Sequence, residues 1–138
     1  MIGAAWADGI RVPFMKLSMI SIEKAGYVKL MAEGEITSGD LLDAKSHNPL
    51  EGVLGASWAS NNVLLSLAKT PFIDSSAIGW LLDSHNKMRQ SGGKLVPHSA
   101  QPRVSEVLTL LKLRTVLDLK DDEASAHEFI IAGENKKK

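Results

Sequence analysis

The sequence predicts an α/β fold, a mixed sheet of four to five strands with about four helices packed against it. Three observations carry that expectation. Short apolar runs of strand length alternate with longer amphipathic stretches, the order of a mostly parallel or mixed sheet covered by helices. Helix-start and helix-stop chemistry separates them at Asn48-Pro49, Asp74-Ser75, Gly92-Gly93 and Asp121-Asp122-Glu123. The 138 residues, 44% of them hydrophobic, suffice for one buried core and leave little room for a second domain. A single domain over residues 1–138 is therefore expected, with residues 1–12 loose and 134–138 a solvated tail.

The elements follow in order. A first strand is expected within Val12 to Ile22. From Tyr27 to Gly34, Tyr27, Lys29 and Met31 alternate with Val28, Leu30 and Ala32, a strand period. Residues 37–48 form a polar connector. Asn48 can cap a helix that begins with Pro49, and Glu51 completes a capping-box-like pattern. Val63 to Ala68 is an apolar run of buried-strand length. A helix follows Asp74 and runs to about Gln90, with Ile78, Leu81, Leu82 and His85 on its inward face and Gly92-Gly93 at its end. Lys94 to His98 is a short strand. Ser99 to Pro102 opens a helix with Val104, Val107, Leu108 and Leu111 as its stripe. Thr115 to Leu119 reads as a last strand, and Asp121-Asp122-Glu123 starts a final helix through Phe129 and Ile130.

Composition removes several functions. Lys plus Arg equals Asp plus Glu at 16 each, so the formal net charge is zero. A nucleic-acid-binding domain normally carries a basic excess to displace counterions, and none is present. There are no cysteines, which excludes disulfides and thiolate chemistry and suits a reducing, cytoplasmic setting. The first ten residues lack the positive start of a signal peptide, and no apolar run reaches bilayer-spanning length, so no membrane role is expected.

Asp74-Ser75-Ser76-Ala77-Ile78-Gly79 stands where a strand hands over to a helix. A serine there has two physical uses. Its hydroxyl can cap the free amides of the first turn, the commoner use. The same place also favours a phosphate, because free N–H groups and the positive end of the helix dipole face it.

The pattern Ile73-Asp74-Ser75-Ser76-Ala77-Ile78-Gly79, followed by an apolar helix and Ser91-Gly92-Gly93-Lys94-Leu95, resembles the signature of STAS domains, especially bacterial anti-sigma factor antagonists. Gly34-Glu35-Ile36 resembles that family's Gly-Glu turn after an early strand. The likeness in order and spacing runs from about Tyr27 to Ile130. It implies a phosphorylation-controlled exchange of protein partners. The unphosphorylated protein would bind an anti-sigma factor, often itself a serine protein kinase, and phosphorylation at Ser75 would end the binding. A serine phosphatase would restore it. Ser76 matches the second hydroxyl position, and Asp74 would orient the acceptor or shape the loop. Two residues depart from the pattern: Thr37 replaces a usual Asp near the phosphosite, and Ala77 replaces a common Gly. The resemblance implies a monomer or weak dimer without cofactor or metal.

With Ile78, Leu81, Leu82 and His85 inward, Trp80 falls on the opposite side of its helix. There it would anchor a partner, unless another segment covers it.

The enzymatic alternatives are weak. Ser75 lacks the Gly-x-Ser-x-Gly elbow of a serine hydrolase, and His98 is the sole conceivable base near it. His47, His85, His98 and His127 show no paired ligand spacing. Gly92-Gly93 follows a helix and precedes a strand, the reverse of a phosphate-cradling loop. The serious competitor is a non-phosphorylated STAS scaffold or small-ligand-sensing module in a signalling complex.

Overall fold

The structure, a computed structural model, describes residues 16–23, 26–34 and 48–136. Its elements in chain order are β1 (Lys16–Glu23), β2 (Tyr27–Glu33), α1 (Pro49–Leu54), a 3-10 turn (Trp58–Ser60), β3 (Asn62–Lys69), α2 (Ser75–Gln90), β4 (Lys94–His98), α3 (Pro102–Leu110) and α4 (Glu123–Lys136). The four strands form one sheet in the order β1-β2-β3-β4. β1 runs antiparallel to β2, whereas β2, β3 and β4 run parallel. The expected mixed α/β domain is therefore present.

Alternation along the strands sets the two faces. Val28, Leu30 and Ala32 of β2, Val63, Leu65 and Leu67 of β3, and Leu95 of β4 join Leu50, Ala77, Trp80, Leu81, Met88, Val104 and Leu108 from the helices in the main core. The opposite face presents Tyr27, Leu64 and Val96 to Ala126 and Ile130 of α4. Three helices thus cover one face of the sheet, and α4 covers the other.

Local chemistry explains the helix ends. The Asn48 carboxamide accepts from the Leu50 amide at 2.9 Å and caps α1, with Pro49 at the first helical position. α2 closes in a Schellman arrangement: the Gly93 amide reaches the Met88 carbonyl at 2.7 Å, and Gly92 takes a left-handed φ of 89°. Gly93 is needed for a different reason. A Cβ there would lie 2.3 Å from the Asn61 carbonyl oxygen and 2.5 Å from that of Ala59. At the start of α4, the Asp122 carboxylate accepts from the Ser125 amide at 2.8 Å.

The strand expected over residues 115–119 is a series of turns. Leu117 and Leu119 are buried, which produced the strand-like alternation, but their amides bond locally to the Leu113 and Arg114 carbonyls. Asp118 takes a φ of 56°. One isolated bridge joins Lys120 to His98, with the Lys120 amide on the Pro97 carbonyl at 3.0 Å. A strand residue points its N–H and C=O to the same side. Pro97 therefore faces its missing donor toward this segment, and a longer ladder cannot form.

Candidate functional site

The loop leading into α2 lies at the carboxyl ends of the parallel strands β2 and β3, the customary location of sites in α/β folds. The Gly34 amide donates to the Lys69 carbonyl at 2.9 Å, and the Thr70 hydroxyl donates to the Ala32 carbonyl at 2.9 Å. These two bonds tie the exit of β2 to the exit of β3. Beside them, Gln101 ahead of α3 donates through Nε2 to the Ala68 carbonyl at 2.8 Å. Three chain crossings thus fix the loop that leads into α2.

At the head of α2, the two uses open to Ser75 are divided between neighbours. Asp74 has extended φ and ψ of −111° and −174°, and its carboxylate accepts from the Ala77 amide at 3.0 Å. Asp74 is therefore the cap. Ser75 occupies the first helical position and is exposed. Ser76 is half-buried, and Ala77 is fully buried against the core. Next to this loop, the half-buried ring of Phe72 lies 5.5 Å from the guanidinium carbon of Arg103, at the start of α3. That cation–π contact places a positive charge three residues before Ser75, a feature missed by sequence reasoning because it depends on two loops meeting. Glu35 and Thr37 lie outside the described residues.

Trp80 requires a correction. It is 4% exposed, so the exposed anchor expected from the helical wheel is not there. The inward residues of α2 are Ala77, Trp80, Leu81, Ser84, His85 and Met88, one position away from the expected stripe. Ile78 and Leu82 are half-buried at its margin. A polar network made the difference. Trp80 Nε1 donates to Asn48 Oδ1 at 2.9 Å, and Asn48 Nδ2 donates to Ser84 Oγ at 2.9 Å. Asn48 thereby caps α1 and satisfies two buried groups of α2, so indole and serine can both turn inward.

The histidines do not assemble a reaction centre. His98 points to the α4 face of the sheet, away from α2, and shares a 2.8 Å hydrogen bond between Nδ1 and Ser99 Oγ. Burial pushes its pKa below the ordinary 6.5. His85 is buried on α2, and His127 on α4 meets the Tyr27 hydroxyl at 2.5 Å through Nδ1. Among the described residues no group of three His, Cys, Asp or Glu side chains could hold a metal ion. No helix among them is long and apolar enough to cross a membrane.

The sequence matches the STAS domain family over residues 18–126. Similar solved structures include a candidate anti-sigma factor antagonist from Thermotoga maritima, with 18% identity and a TM-score of 0.61, over 83% of this chain and 93% of that one. An anti-sigma factor antagonist from Mycobacterium paratuberculosis matches with 19% identity and a TM-score of 0.59, over 83% of this chain and 94% of that one. A search of curated proteins returns no match. At these identities the structural likeness speaks to the fold.

Proposed function

The chain belongs to the STAS domain family, and from that premise we propose that it is an anti-sigma factor antagonist that works without catalysing a reaction. In this reading the unmodified protein binds an anti-sigma factor that is also a serine protein kinase. Phosphorylation at Ser75 releases it, and a serine phosphatase returns it to the binding form.

The observation that carries the reading is the division of labour at the head of α2. Asp74 already caps the helix, so the exposed Ser75 hydroxyl is available to an external enzyme without loss of a structural bond. A phosphate there adds roughly −1.5 to −2 charges at pH 7. The free amides and dipole of α2 receive that charge well, so the fold tolerates it. A partner surface fitted to the neutral hydroxyl and to Asp74 meets repulsion and a desolvation cost instead. In this reading half-buried Ser76 and the Arg103–Phe72 pair, which stands on the loop leading into α2, contribute to the binding surface. Buried Trp80 acts on that surface only by holding α2 in place.

The test is incubation with the host's serine-kinase anti-sigma factors and ATP, read by intact mass. One added phosphoryl group on the wild type and none on Ser75→Ala is the expected result, with loss of co-elution after modification. A chain that binds a partner yet accepts no phosphate from any cognate kinase would overturn the switch in favour of the scaffold reading.

A further inference from the structure

The sheet has two edges, and they differ in chemistry. The β4 edge is closed by Pro97 and the Lys120 bridge. The β1 edge has no strand beyond it among the described residues. Edge strands that stay unpaired commonly carry proline or a central lysine. β1 carries neither in its middle: Met19 is 42% exposed, Ile20 51% and Ile22 73%, and its charges, Lys16 and Glu23, stand at the two ends.

The order of these residues makes the strand its own antiparallel complement. With a second copy of Lys16–Glu23 laid against it about a twofold axis between Met19 and Ile20, Lys16 faces Glu23 and Leu17 faces Ile22. Ser18 then faces Ser21, and Met19 faces Ile20. Every charge meets its opposite, every apolar side chain meets another, and the serines meet each other. The bulge that leaves Ile20 without a partner on β2 lies beside the axis, so the two irregularities coincide rather than shifting the register. A chain of zero net charge also does not repel its copy.

We propose that β1 is a homodimerisation edge, at which two copies join their sheets through antiparallel, isologous pairing of Lys16–Glu23. This interface is independent of Ser75.

The test is sedimentation or light-scattering mass against concentration up to the millimolar range. The wild type should rise toward twice the monomer mass. Ile22→Lys should remain a monomer throughout. Lys16→Glu should weaken association about tenfold or more, since symmetry sets two like-charge pairs face to face. The double variant K16E/E23K exchanges both charges and should recover wild-type association. Unchanged far-UV circular dichroism, and an unchanged thermal midpoint at a dilute concentration where the wild type is monomeric, would establish that each variant is folded. A wild type that stays monomeric overturns the proposal. So does a dimer indifferent to Ile22→Lys and to the charge exchange, which would lie on another surface.

Discussion

On one face of the sheet, α1, α2 and α3 press a continuous apolar layer around a buried polar knot, Asn48–Trp80–Ser84. On the other, α4 alone meets three strand side chains and is fastened at its margins by charge. Lys29 reaches Glu123 at 2.8 Å, Tyr27 meets His127, and the lysines of β4 and the following bridge, Lys94 and Lys120, sit 4.8 and 4.2 Å from the Phe129 ring centroid. The first face is held by groups that water does not reach, whose loss leaves cavities or orphaned donors. The second has a smaller buried cluster, Leu64, Val96, Ala126 and Ile130, and adds partly exposed pairs at its margin that solvent can replace. Ser75 rides on the first face, so the candidate switch stands on the side with the larger core.

The largest expected effect is at the knot. Trp80→Ala should cost about 3–5 kcal/mol in urea denaturation, because a large buried ring is removed and a cavity remains. Asn48→Ala comes next. It removes the α1 cap and strands the indole N–H and the Ser84 hydroxyl, for about 2–4 kcal/mol with an unchanged urea slope. Comparable losses from any α4 substitution that touches only charge would break the contrast between the faces.

pH should sharpen it. Burial holds the His98 imidazole below 6.5 in the folded chain, although Glu123 of α4 and Asp122 just before it pull upward and Lys29 of β2 pushes downward. Once the pH falls below 6.5, the unfolded chain accepts a proton that the folded chain refuses. Stability is therefore full above that value and declines with acid. Glu123 lies below its ordinary 4.5 chiefly because Lys29 donates to it, so its share is present above 4.5 and is lost as the pH falls through its folded value. The stability–pH curve should show declines in both ranges on acidification, and His98→Gln should flatten the upper one, with a smaller effect on the lower because His98 also helps hold Glu123 down.

The smallest effect belongs to the ion pair. With side chains 25% and 50% exposed, Lys29→Met should cost under about 1 kcal/mol, a difference that shrinks in high salt.

Much of this was legible before any coordinates. Asn48-Pro49, Asp74 and Asp121-Asp122-Glu123 marked helix starts because capping is local chemistry, and Gly92-Gly93 marked a helix end for the same reason. The alternation of Tyr27 to Ala32 and the continuous apolar run of Val63 to Ala68 both marked strands, the second because β3 is buried on both faces. Two features failed where the deciding contact is distant. Trp80 looked outward because Ile78 and Leu82 were set on the inward face, whereas the buried face turns toward Ala77, Trp80 and Ser84, where Asn48, 32 residues away, accepts the indole N–H. Leu117 and Leu119 alternate like a strand, but Pro97 on the neighbouring strand withholds the donor a ladder needs. Ser75 was singled out by the motif, but that Asp74 rather than Ser75 caps α2 could be read only from Asp74's bond to Ala77. Arg103 against Phe72 had no local signal at all.

That bond has a consequence for the lifetime of the molecule in a cell. Proteases and chaperones remove proteins according to the fraction unfolded, and a change of only 1–2 kcal/mol alters abundance several-fold. Because Asp74, not Ser75, caps the first turn of α2, a phosphate on Ser75 would break no capping bond, and its charge at the helix N-terminus would keep the unfolded fraction from rising. Under the proposed switch, modified chains would then be removed no faster than unmodified ones, and the same molecules could be cycled between partners without resynthesis.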